Sequence, residues 1–229
     1  KYQYITDIGG SGIGEKAREI SFIRPTYVVM GKNFPAKNGS YEVKIREILR
    51  EITYLDEAQL WVVDCPSGYE IASSSAEKPS LRKNALHTPP ECEFYGINTR
   101  KALLSVSAVD NNGNDILPAI SSIDGRPAPA DENEDMNYYI LDFGRVNADY
   151  VKLVFDGWRA DIIRNPVKNG VAGSIELMNA DGKWEKIRDI GEISGDFKTM
   201  VIPLRGVFKN RKDHRIKVNN YGKRHHLNM

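Results

Sequence analysis

The sequence predicts an all-β protein: an antiparallel β-sandwich of jelly-roll type with little helix. Three observations lead there. Two-residue alternation of apolar and polar side chains recurs along most of the 229 residues. Turn signals (Pro-Ser-Gly, Asn-Asn-Gly, Asp-Gly) separate these stretches at a spacing of roughly ten residues, as in sandwiches and barrels. Helix-forming stretches are confined to Glu15–Ile20 and Glu47–Thr53, so helix is expected to stay under about a fifth of the chain against a usual third.

The elements follow in order. YITDIGGSGIGEKAREI reads as strand, glycine loop and helix, the opening of a nicotinamide-dependent oxidoreductase. Gly9, Gly10, Gly12 and Gly14 have the freedom to let a backbone approach a pyrophosphate. The context argues against that reading. YQYITDI alternates, as a half-exposed strand does, whereas parallel-sheet strands run continuously apolar. Pro25 ends the helix early, no acid closes PTYVVMGKNF, and no Tyr-x-x-x-Lys pair follows. A surface turn between β elements is expected instead.

YEVKIREI alternates as a half-solvated strand should. EAQLWVVD is nearly continuous in apolar residues, which predicts a buried strand, and CPSGYEIAS predicts a hairpin return through Pro66–Gly68. ALLSVSAVD predicts a strand closed by the turn NNGND, and DILPAISSID another segment, ending at Asp124-Gly125. NYYILDFG and DYVKLVFDGW predict strands around Gly144. GSIELMNADGKWEKIRDI predicts a hairpin turning at Ala180-Asp181-Gly182, because Asp-Gly supplies the positive φ that such a turn requires. FKTMVIPL and HRIKVNN complete the strands. YGKRHHLNM, with His225 and His226, reads as a solvated tail rather than a metal site. The Ser-, Lys- and Pro-rich stretch 73–90 suggests a division into an amino-terminal β-rich lobe, 1–88, and a sandwich lobe, 89–229.

Composition narrows the function. A formal net charge of +1 removes the basic footprint of a nucleic-acid binder. No stretch approaches the roughly 20 apolar residues that span a bilayer. The chain opens with Lys1 inside a strand-like segment, so residue 1 is expected not to be the start of the gene product. Asp110, Asn112, Asn114 and Asp115 offer alternating oxygens around Gly113. That is the donor pattern of a calcium loop, and equally of a plain Asx turn. Trp158 beside Arg159 is a residue pair that binds sugars or partner chains, with a core Trp as the alternative. Trp61 and Trp184 read as core or cross-strand packing, and Asp56, Glu57 and Asp64 as acids bounding a strand. No Ser–His–Asp or Cys–His set can be assembled, so a non-catalytic role is expected.

Several stretches taken together carry a resemblance. LREITYLDEAQLWVVDCPSGYEI is followed by SAVDNNGNDI, SSIDGR, YYILDFG, VKLVFDGW and GSIELMNADGKWEKIRDIG, then by KTMVIPL and RIKVNN. This order resembles the β-rich region that follows FG-GAP (integrin-type) propeller repeats in large secreted bacterial proteins, often with an ASPIC/UnbV-type segment. It covers most of 39–219. The carboxy half resembles, more loosely, a discoidin-like galactose-binding jelly roll. The resemblance implies an extracellular or periplasmic interaction or assembly module, partnered by other chains or domains of the same assembly, with a glycan-binding sandwich as the alternative. This chain departs from the pattern at Cys65, where a His is expected, and lacks the final I-Y-W-D strand.

The implied compartment bears on Cys65 and Cys92, both at element ends. A bond between them closes a loop of 26 intervening residues, worth roughly 3–4 kcal/mol in an unstrained geometry. Two buried thiols are the alternative. Intact-mass spectrometry after denaturing, non-reducing alkylation is expected to give a species without alkyl adducts. Two adducts on protein from its native compartment would establish free thiols.

Overall fold

The computed structural model describes residues 36–45, 58–73, 94–122, 128, 136–159, 171–191, 198–221 and 225–228. Strand accounts for 47% of these residues and helix for 6%, so the protein is all-β. The strands are β1 (Tyr69–Ser73), β2 (Phe94–Asn98), β3 (Ser107–Asp110), β4 (Met136–Asp142), β5 (Tyr150–Arg159), β6 (Val171–Met178), β7 (Trp184–Gly191), β8 (Lys198–Arg205), β9 (Ile216–Tyr221) and β10 (His225–Asn228). A 3-10 turn follows β2 at Thr99–Lys101, and one short helix, α1, spans Leu117–Ile120.

Five strands form one sheet in the order β3-β4-β9-β6-β7, three form a second in the order β10-β5-β8, and β1 and β2 form a two-stranded ladder. Every pairing is antiparallel. The two larger sheets share one core. Tyr139, Leu141, Ile175, Leu177, Ile216 and Val218 fill it from the first, and Leu153, Phe155, Met200, Ile202 and Leu204 from the second. β4 shows why the sequence folds this way: Asn137, Tyr139 and Leu141 are buried while their alternate neighbours are partly exposed, the period-2 pattern of a strand with one face inward. Gly173 sits where β6 passes β9. A Cβ there would lie 2.1 Å from the Asn219 carbonyl oxygen, so only glycine permits the approach.

The β6–β7 hairpin turns as the sequence predicts. Asn179 Oδ1 accepts from the N–H groups of Asp181 (3.0 Å) and Lys183 (2.9 Å), and Gly182 takes φ 76°. β4, β5, β8 and β9 also match their predicted segments. Other segments differ. Residues 58–64 form no strand, and Leu60, Trp61, Val62 and Val63 are exposed. The turn at Pro66–Gly68 is present, but β1 pairs with β2 rather than folding back on that run. The β1–β2 ladder joins residues on either side of the 88/89 division and packs against β8. Lys152 of β5 fastens it, donating Nζ to the Gly96 carbonyl at 2.7 Å beneath the Tyr95 ring. LPAI is helical rather than extended: Pro118 stands in the first turn, where its missing N–H costs nothing, and Asp115 Oδ1 accepts from the Leu117 N–H at 2.9 Å. The expected tail is strand β10, opposite β5. The amino-terminal glycine stretch and both predicted helices lie outside the described residues.

One charge is buried in the second sheet. Asp156 of β5 lies opposite Thr199 of β8, whose hydroxyl donates to Oδ1 at 2.5 Å. Burial raises the Asp156 pKa above 3.8, and the Thr199 hydroxyl only partly offsets it. A raised carboxylate pKa means that the folded state holds the proton more tightly than the unfolded one. Ionisation of Asp156 therefore costs stability above the folded pKa, and the cost is relieved as pH falls toward 3.8. Asp156→Asn keeps an acceptor for Thr199 and removes the charge. Thermal unfolding is expected to give the variant the higher Tm at pH 7, with the advantage shrinking to nothing near pH 3.8.

Candidate functional site

The two connections that cross from one sheet to the other at the same end of the sandwich border an open recess of about 1140 Å³. One, 143–149, leads from β4 to β5, and the other, 206–215, leads from β8 to β9. The sequence fixes each crossing locally. Asp142 Oδ1 accepts from the Gly144 N–H at 2.7 Å, in an Asx turn for which Gly144 supplies φ 69°. Gly206, at φ 64°, donates its N–H to the Asp149 carbonyl and ties the second connection to the first.

His214 is the clamp. Its Nδ1 accepts from the Val146 N–H at 2.8 Å, and Nε2 lies 3.0 Å from the Arg211 carbonyl. Since Nδ1 must accept, the proton is on Nε2 and donates to Arg211. The ring packs at 5.5 Å from Phe208, whose side chain is buried with that of Val146 in the core. Arg211 reaches outward from the same turn: Nε to the Val207 carbonyl (2.7 Å), one terminal nitrogen to the Met178 carbonyl (2.6 Å), the other to Glu185 Oε2 (2.8 Å). It thereby binds the recess to the β6–β7 hairpin. Arg215 donates to both oxygens of Asp213. The Arg215 hydrogen bonds place the Asp213 carboxyl below its usual range against an opposing desolvation.

The rim is charged and exposed. The side chains of Arg145, Lys209 and Lys212 line the recess without a hydrogen-bond or ion-pair partner among the described residues. Asn147, Asp149 and Asn210 stand among them. Such a surface can hold a polar ligand by charge and hydrogen bonding. Sequence reasoning passed it over, although FKNRKDHR places Lys209, Arg211, Lys212 and Arg215 within eight residues.

The residues singled out from the sequence lie elsewhere. Asp110, at the end of β3, is buried. Oδ1 accepts from the N–H groups of Asn112 (2.8 Å) and Asn114 (2.9 Å), and Oδ2 from the Asn114 side-chain amide (2.9 Å). Burial pushes its pKa up, but these bonds outweigh it and leave the carboxyl below 3.8. Asp115 instead caps Leu117. The loop is thus folded as an Asx turn, and among the described residues no group of three or more His, Cys, Asp or Glu could hold a metal ion. β5 runs through Trp158 and Arg159, opposite His226 and His225 of β10. Cys65 is a half-buried free thiol in this structure, and Cys92 lies outside the described residues. Trp61 is exposed, outside any strand. Trp184 packs across strands as expected, its ring 5.8 Å from Lys217 Nζ.

Replacing His214 with Ala leaves the Val146 N–H and the Arg211 carbonyl without their partner. The expected cost is about 1–3 kcal/mol, read as a lower denaturation midpoint with an unchanged denaturant slope. Stability equal to the parent would show that the ring does not hold the crossings together.

No family model, no curated protein and no solved structure matches this chain.

Proposed function

We propose that the chain is a non-catalytic interaction or assembly module of an extracellular or periplasmic multidomain protein, engaging other chains or domains of the same assembly. One observation carries the reading. The continuous apolar run 60–63 is exposed: Trp61 by 55% and Val62 by 79%. Leu103, Leu104 and Val106 are exposed as well. Covering a side chain of this kind stabilises a complex by roughly 1.5–3 kcal/mol before the costs of association, and clustered exposed apolar residues mark interaction surfaces. The compartment follows from the resemblance to FG-GAP-associated regions.

A glycan-binding module is the second reading. The polar recess at the sheet-crossing end favours it, since saccharides are held by convergent charged and amide groups. A nicotinamide-dependent oxidoreductase, the third, would rest on the amino-terminal glycine stretch alone.

Trp61→Asp with Val62→Asp, introduced into the full gene product in its native host, tests the first reading. The assembly sized by sedimentation is expected to lose mass, while the Tm of the isolated chain moves by the equivalent of no more than about 0.5 kcal/mol, as for other surface substitutions. An assembly of unchanged mass, or fractionation with the cytoplasm, would overturn it.

A further inference from the structure

We propose that the recess between 143–149 and 206–215 binds a uronic-acid-type saccharide, a polyhydroxylated ligand carrying carboxylates. This rests on the glycan-binding reading and names its ligand class. Charge comes first. Five cationic side chains line the recess against three carboxylates. Arg211 is engaged by Glu185 and two carbonyls, and Arg215 by Asp213. The cations left for a ligand are Arg145 from one connection and Lys209 and Lys212 from the other. They flank the space from both crossings, so one anionic chain laid between them meets both.

The lining also selects against simpler anions. Asp149 is exposed on the same rim, beside the amides of Asn147 and Asn210. A bare oxyanion has nothing to donate to that carboxylate and is repelled by it. A saccharide acid satisfies both signs: its carboxylates face the cations, and its hydroxyls donate to Asp149 and to the amide oxygens. An apolar ligand finds little to hold it, because Val146 and Phe208 are turned into the core and the lining is mostly polar. The walls are set in advance. The His214 clamp and the Gly206–Asp149 hydrogen bond fix the connections to each other, so the backbone of the walls needs no ordering on binding.

The test is titration calorimetry of the chain with trigalacturonate, with neutral trigalactose and with inorganic phosphate, repeated on a variant carrying Arg145→Gln, Lys209→Gln and Lys212→Gln. All three positions are exposed, and Tm confirms that the variant is folded. Lys101→Gln, on the exposed 3-10 turn away from the recess, is the control for general charge loss. Trigalacturonate is expected to bind at least about tenfold more tightly than trigalactose, to weaken as salt rises, and to lose about tenfold in the triple variant but not in the control. Equal affinity for the neutral sugar would overturn the acid specificity and leave glycan binding standing. Binding of neither sugar would remove both. Phosphate binding as tightly as trigalacturonate, or a triple variant that binds like the parent, would also overturn the proposal.

Discussion

β9 is the element on which the rest depends. It is the last of the five strands of its sheet to be made, yet it lies at the centre, hydrogen-bonded to β4 on one side and β6 on the other. The sheet cannot close until the chain has returned from the second sheet, so the core forms through contacts distant in sequence. That position demands cover on both faces. Ile216, Val218 and Asn220 point inward, and Asn219, on the opposite face, is also buried. The polar members then fix the register. Asn220 bonds the Tyr139 hydroxyl inside the core. The phenol is pushed up to about 12, first by burial and also by the nearby Asp110 charge, against that hydrogen bond. On the other face, Asn219 Nδ2 donates to Ser174 Oγ, which lies 2.8 Å from the Tyr221 hydroxyl. A slip of one residue would exchange these sets and leave each without its partner. The close passage at Gly173 enforces the same alignment sterically.

The recess is a consequence of that topology. β4 and β9 belong to the first sheet, β5 and β8 to the second, and the pairs Leu141–Ile216 and Tyr150–Arg205 stand at the same end. The chain must therefore cross between sheets twice at one place, in opposite directions. The two crossings do not pair as a ladder, so their backbone groups need other partners. The Asx turn at Asp142, the Gly206–Asp149 bond and the imidazole of His214 supply them. With the polar backbone satisfied from within, the long charged side chains of both crossings are left to face solvent.

Much of this fold can be read from the residues. β4 through β9 follow alternation and turn chemistry, and the Asn179–Gly182 turn follows from Asp-Gly. What alternation cannot supply is partnership: β4 and β5 are consecutive strands flanking one glycine, yet they belong to different sheets. Capping was also legible but outweighed. Asp115 and Pro118 mark the start of α1, while the apolar residues around them suggest extension. The recess was the least legible part, because His214 acts through a residue 68 positions away in the chain. The Asp110 loop shows the opposite case: oxygen donors at calcium-like spacing are the same atoms that a tight turn needs for its own N–H groups.

The apolar run 60–63 exposes a deeper limit of pattern reading. A short continuous apolar segment is what a doubly covered strand requires, and the inference to burial assumes that the cover comes from the same chain. Here the segment pairs with no strand among the described residues, with Leu60 through Val63 in solvent and Asp64 exposed behind them. Periodicity encodes the demand for cover without specifying its source.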